Sequence, residues 1–194
     1  MTEVERAERL EELYARIRGD SGYRNARMAD TFVPGCGSLA DGMIVLIGEA
    51  PGRNEELTGR PFVGAAGKNL DCLLDVAGLS RSSLFITNVI KYRPVSTDGK
   101  NRNPTAAECR KALPYLVEEL EILSPGLAVC LGLCPTRTLI GEGLAMQEAN
   151  GTIFRRFGTV MLVTYHPSPF NYMIAKKREE MRRAFTVLRD FLAA

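Results

Sequence analysis

Residues 43–67 read MIVLIGEAPGRNEELTGRPFVGAAG. Five apolar residues, Met43 to Ile47, run directly into a segment with five glycines, two prolines and three glutamates. An apolar, β-branched run closed by glycine reads as a buried strand ending in a tight turn. Such turns commonly cradle phosphate on backbone N–H groups. Glu49 is out of place there, since a carboxylate repels an anion. The segment is not a Walker loop, because no Gly-Lys-Ser/Thr follows, and G-x-G-x-x-G is missing. Two readings of Gly48-Glu-Ala-Pro-Gly52 stand. It is a turn that tolerates almost any second residue, or Gly52 lets the backbone approach a ligand while Glu49 holds a proton acceptor or a water.

Three further runs resemble the first: 84–90 (LFITNVI), 127–131 (LAVCL) and 160–165 (VMLVTY). Between and after them lie helix-like segments over about 67–78, 105–123, 135–140 and 178–193. Asn103-Pro104-Thr105, with Glu108 three residues on, marks the entry to the second of these. Thr2 and Glu5 resemble a capping box, which predicts an N-terminal helix over about 2–18 carrying Leu10, Leu13, Tyr14 and Ile17. Short continuous strands alternating with helices predict a three-layer α/β/α fold around a mainly parallel four-stranded sheet. At 194 residues, without repeat, low-complexity tract or linker, the chain reads as one domain, with its motifs between about 43 and 192.

In an open α/β sheet, ligands bind beyond the carboxyl ends of the strands. Glu49 follows the first strand, Asn88 ends the second and His166 follows the fourth, so the topology gathers them at one rim. His166 is the only histidine. It is either a satisfied turn residue or a neutral imidazole donating to a developing oxyanion. With one histidine and no C-x-x-C pair, a zinc site is hard to assemble, and no G-x-S-x-G accompanies it as a hydrolase triad requires. Phe62, set among glycines, is a hydrophobic staple or a stacking platform. Asn88 caps a strand or presents a donor and an acceptor to a nucleobase edge. Together these groups specify a pocket for a flat, hydrogen-bonding ring.

Charge is distributed to suit a polyanion. The net charge is only +2, yet residues 81–111 hold seven bases against two acids and residues 176–189 hold six against two. The tail reads equally as a solvated helix face. Apolar residues are 45% and charged residues 25%, ordinary values for a globular chain. No apolar run approaches the ~20 residues of a membrane span, and the acidic, amphipathic start is not patterned as a secretory signal. A cytoplasmic, nucleoid-associated monomer is expected. Cys36, Cys72, Cys109, Cys130 and Cys134 fit buried thiols better than a disulfide frame.

GEAPGRNE (48–55), GRPFVGAAG (59–67), NVIKYRP (88–94), RNPT (102–105) and YHPS (165–168), in that order, resemble the family 4 uracil-DNA glycosylases. The resemblance implies the same α/β/α fold and hydrolytic removal of uracil from single- or double-stranded DNA. It implies that the backbone of Gly48, Ala50, Pro51 and Gly52 approaches the nucleotide. Phe62 would stack on uracil, Asn88 would read N3 and O4, and His166 would donate to O2. Glu49 would position the water that attacks the sugar, and Glu55 would line the side where thymine's methyl group clashes. The turn from Pro167 through Ser168, Pro169 and Phe170 to Asn171 would enter the duplex. Apart from the resemblance, Lys91, Arg93 and the basic cluster 176–183 read either as phosphate contacts or, more simply, as surface charge.

Members of that family hold a four-iron, four-sulfur cluster on four cysteines. The corresponding positions here are Tyr23, Ala26, Tyr92 and Cys109, so only the last keeps sulfur. A cluster needs about four thiolates, and a cluster-free relative, held together by tyrosines and apolar packing, is expected. The altered loop 91–105 makes other damaged bases an alternative substrate range. A covalent-trapping branch of the superfamily carries an extra histidine after the NVxK motif. VSTDGKNRN (95–103) has none, so turnover is expected. The competing readings are a non-catalytic module that recognises damaged or abasic DNA, and a nucleosidase acting on free nucleosides.

Overall fold

The structure is a computed structural model that describes residues 1–193. The central sheet has six strands in the order β2-β4-β3-β6-β8-β7. Its four inner strands, β3 (Ile44–Gly48), β4 (Leu84–Asn88), β6 (Leu127–Leu131) and β8 (Thr159–Thr164), are parallel. These are the four apolar runs of the sequence, shifted by a residue or two at their ends. The edges are β2 (Cys36–Gly37) and β7 (Ile153–Arg156), both antiparallel to their neighbours. A separate ribbon pairs β1 (Met28–Phe32) with β5 (Tyr92–Pro94).

Alternation along the strands divides the core into two layers. Val45, Ile47, Ala128, Cys130, Met161 and Val163 face one side, with Leu13 and Ile17 of α1 (Glu3–Gly19) and Leu116 and Leu120 of α4 (Ala106–Leu123). Ile44, Leu46, Val129, Leu131 and Leu162 face the other. There they meet Leu70, Leu73 and Leu74 of α3 (Ala65–Ala77) and Phe185 and Leu188 of α8 (Ala175–Leu192). Burial on both faces explains why the strands carry continuous apolar runs instead of alternating ones.

Both helix starts read from the sequence are closed by capping boxes, Thr2 with Glu5 and Thr105 with Glu108. Glu108 does more than cap. It also takes both arms of Arg102 at 2.7 and 2.8 Å and Asn25 Nδ2 at 2.8 Å. Burial alone would raise its pKa, but Arg102, the Thr105 N–H and Asn25 outweigh it and carry the group down to about 2. The segment 94–108 is thereby fastened to the N-terminal region.

In strand order, β3 and β6 flank the point where connections leave to opposite sides, the crevice where α/β sheets place ligands. The loops that line it are 49–64 after β3, running through α2 (Arg53–Thr58), the start of α5 (Leu133–Leu139) after β6, and 165–174 after β8, containing α7 (Pro169–Met173). No helix among the described residues is long and apolar enough to cross a membrane.

Candidate active site

A cavity of about 950 Å3 opens at these strand ends, lined by Glu49, Phe62, Asn88 and His166 together. Four side chains far apart in sequence therefore meet at one place. The sheet register does much of this work, since Gly48 pairs directly with Asn88. A Cβ on Gly48 would collide with the Asn88 amide oxygen and with the edge of the Phe62 ring. Glycine is required there because the amide and the ring converge over its bare Cα. Val89 N–H donates to Gly48 O and Ile90 N–H to Glu49 O, both at 3.0 Å, locking the two loops in step.

Phe62 sits at a left-handed backbone angle, φ 54°. A bulky residue rarely adopts that conformation, which costs about 1–3 kcal/mol and persists only where the surroundings enforce it. The enforcing groups are visible. Arg81 Nη2 donates to Phe62 O at 2.9 Å and to Gly67 O at 3.0 Å. Glu55 accepts from Val63 N–H and Gly64 N–H at 3.0 and 2.8 Å, and from Gly52 N–H at 3.1 Å. Glu55 lines the cavity, as the sequence suggested, but its oxygens are engaged by backbone. Its observed task is to tie the GEAPG loop to the Phe62 loop.

Among the described residues, no hydrogen bond holds the Glu49 carboxylate or the His166 ring. Burial raises the Glu49 carboxyl above its usual value. Burial lowers the His166 imidazole to about 4, against a small opposing pull from Glu55. His166 is therefore a neutral ring, a donor through one N–H, across the neutral range. It stands beside Phe62, with ring centroids 5.8 Å apart. Its backbone is braced, since Asn171 Nδ2 donates to His166 O at 3.0 Å and Asn69 Nδ2 donates to Pro167 O at 2.9 Å.

Several residues assigned to the DNA contact lie elsewhere. Lys91 is fully buried. Its ammonium donates to Glu119 at 2.7 Å and Asn88 O at 2.8 Å, and also to the Thr87 hydroxyl, so it cannot reach a phosphate. Glu119, also fully buried, accepts from Tyr14 OH at 2.5 Å as well. Arg93 is a strut too: its side chain is 13% exposed, 2.8 Å from Glu56 and 2.8 Å from Asn101 Oδ1. Pro167 is buried and Ser168 half-buried, so the exposed part of the turn begins at Pro169. Beyond it Phe170 is 68% exposed and Met173 73% exposed. Ser168, Pro169 and Asn171 do border the cavity.

Gly132, Leu133, Arg137 and Asn101 also line the cavity and were not singled out from the sequence. The signal for the first was present, since LAVCLG (127–132) ends as MIVLIG (43–48) does. Gly132, at φ 102°, lies against His166, where an added Cβ would fall 2.7 Å from the histidine Cβ.

The Asn88 amide, the Phe62 ring, the Glu49 acid and the neutral His166 imidazole thus share one cavity at the switch point of an α/β/α sheet. Residues 34–189 match the uracil DNA glycosylase superfamily. The chain belongs to that superfamily. It is 39% identical over 162 residues to a type-4 uracil-DNA glycosylase of Archaeoglobus fulgidus, covering 79% of this chain and 78% of that one. To the type-4 uracil-DNA glycosylase of Saccharolobus solfataricus it is 38% identical, over 76% and 71% of the two chains. A type-5 uracil-DNA glycosylase of Pyrobaculum aerophilum is 32% identical over 72% and 66%.

Proposed function

We propose that this chain is a monomeric uracil-DNA glycosylase of the type-4 kind that works without an iron–sulfur cluster, on DNA in the cytoplasm or nucleoid. The convergence of the Asn88 amide and the Phe62 ring over Gly48, with Glu49 and His166 unpaired in the same cavity, carries this reading. The whole chain acts as one unit, since Tyr14 of the N-terminal helix reaches Glu119 in the core.

A base cannot be cut within the stack, so it is extruded at a cost of a few kcal/mol. Phe62 then stacks on its face and Asn88 pairs with N3–H and O4, which selects uracil over cytosine. As the glycosidic bond breaks, negative charge grows on the ring. His166, neutral and aimed by its braced loop, donates to O2. The sugar becomes cation-like, and Glu49 stabilises it while orienting the attacking water. A carboxylate in a glycine-rich loop thus serves a positive centre. Glu55 ties the Phe62 loop in place and lines the side where a thymine methyl group would clash, and the exposed turn around Phe170 fills the gap in the duplex.

The residues at the cluster positions do not fit an iron–sulfur group, because Tyr23, Ala26 and Tyr92 offer no thiolate. Tyr23 and Tyr92 pack with ring centroids 6.1 Å apart, and Tyr23 meets Tyr115 at 5.6 Å. The Tyr23 hydroxyl accepts from Lys91 N–H at 3.1 Å and donates to Val89 O at 3.4 Å. The phenol thereby fixes the Asn88–Lys91 loop. Protein purified without oxygen should contain no stoichiometric iron and no absorbance in the visible blue.

A uracil-containing oligonucleotide, incubated and then treated with alkali, tests the activity. Cleavage at the uracil is expected. Full-length strand together with tight binding would instead identify a recognition module.

A further inference from the structure

Behind the proposed active site lies a second cavity of about 620 Å3, and Glu49, Leu133 and Arg137 line both. Two thiols face it, Cys109 from α4 and Cys134 from the first turn of α5. Their sulfurs lie 3.7 Å apart across 25 residues of sequence. Uracil excision uses neither. Both are half-buried and reach the cavity, whereas Cys130 is fully buried in the sheet.

We propose that Cys109 and Cys134 are a reversible oxidation site, closing to a disulfide that shuts down excision by shifting the start of α5 relative to Glu49 and His166. This inference rests on the assignment of Glu49 and His166 to the reacting site. A disulfide needs sulfurs about 2 Å apart, so the pair must approach by under about 2 Å, a movement within reach of a short helix. The oxidant is hydrogen peroxide. The Cys109 sulfur attacks the peroxide oxygen, giving a sulfenic acid and one water. The Cys134 sulfur then displaces the hydroxyl, which leaves as a second water. Two electrons pass from the thiols to the peroxide, and both thiol protons end in water. The two thiols already form an S–H···S contact in which either can donate, so the second sulfur stands beside the first, ready to displace its hydroxyl.

The consequence for excision follows from connectivity. Cys134 is two residues from Gly132, whose backbone lies against His166 and donates to Thr164 O at 2.7 Å. Movement of Cys134 toward α4 therefore travels through Leu133 to the histidine. A misplacement of about 1 Å at a reacting site can cost roughly a hundredfold.

The test uses the full, reduced protein titrated with hydrogen peroxide, read by peptide mass without reduction and by uracil excision. A linked Cys109–Cys134 peptide lighter by two hydrogens is expected, with excision lowered at least tenfold and restored by dithiothreitol. Cys134→Ser and Cys109→Ala should keep the reduced activity and resist peroxide. Absence of the linked peptide overturns the site. Its formation with unchanged excision overturns the switch, as does equal peroxide sensitivity of both variants. Inactivity of the reduced wild type would overturn the active-site assignment itself, and the linked peptide distinguishes that failure from a failure of the thiols to pair.

Discussion

The rim of the main cavity and the layer beneath it use the same residue types in opposite ways. At the rim, the Glu49 carboxylate and the His166 ring have no hydrogen-bonding partner among the described residues. Beneath it, Glu119 accepts from Tyr14, Thr87 and Lys91 together. Asn88 and Lys91, three positions apart, illustrate the contrast within one loop. The amide faces the cavity, while the ammonium turns down and donates to the carbonyl of that same Asn88. A partly buried polar group without a partner costs stability, and is retained where a ligand supplies the partner. The saturated layer below is what keeps the unsaturated one in place.

The largest effect should come from the rim. Glu49→Gln, Asn88→Ala and His166→Ala should each lower excision at least about a hundredfold, the range for removal of an acid–base or oxyanion group. Duplex binding, measured by anisotropy, should stay within a few-fold, because all three line the cavity and none is a cationic group on the exposed surface. Near-wild-type turnover in all three would show that the cavity is not where the bond breaks.

The layer beneath should respond in stability. Lys91→Met leaves Glu119 as a buried, unpaired carboxylate, and breaking such a pair costs about 3–5 kcal/mol. Urea unfolding should show that loss, and a paired Lys91→Met/Glu119→Leu variant should recover most of it. If Lys91→Met were instead stable and merely weakened DNA binding, the lysine would be a phosphate contact after all, and the contrast between rim and floor would fail.

That contrast marks the limit of what the sequence discloses. The four inner strands were legible because burial on both faces writes a continuous apolar run, and the helices because Thr2–Glu5 and Thr105–Glu108 close their starts. The meeting of Glu49, Asn88 and His166 followed from strand-end topology alone, whereas Phe62, far along the loop after the first strand, was not placed by it. The edge strands were not legible: Cys36–Gly37 is only two residues long, and Ile153–Arg156 is largely exposed, so neither carries an apolar run. Lys91 was misplaced for a physical reason. A basic residue in a charged segment reads as surface, and its partner Glu119 is 28 positions away on the inner face of a helix. Glu55 was read as a pocket wall because nothing local shows that three backbone N–H groups would converge on it.

A pH profile sharpens the account of the rim. In the proposed mechanism excision needs Glu49 ionised, and burial raises its pKa, so the acid limb of kcat/KM should lie above the ~4.3 of an ordinary glutamate. His166, lowered to about 4, should leave no inflection near the ordinary histidine value of ~6.5. The stability sign is fixed by the same shift. Between about pH 6.5 and about 4 the unfolded chain binds the proton and the folded chain does not. The His166 contribution is therefore complete above about pH 6.5 and declines as pH falls toward the folded value near 4. The urea midpoint of wild type should drop more over that window than that of His166→Ala. A His166-dependent activity limb near the ordinary histidine value would mean the ring is solvated and charged.

The smallest effect is a null. Each phosphate that a DNA-binding protein no longer neutralises lowers the slope of log affinity against log salt by about one. Arg93 is held by Glu56 and Asn101, so Arg93→Gln should leave that slope unchanged, whatever it costs in stability. Lys176 has an exposed ammonium 4.0 Å from Glu180, a loose pairing that leaves it available to a backbone phosphate. Lys176→Gln is the matched comparison, and any slope change should appear there first. Measured side by side, a shift for Arg93 and none for Lys176 would place the duplex against the β5 side of the cavity instead of the α7–α8 side. The exposed Phe170 turn would then need another role.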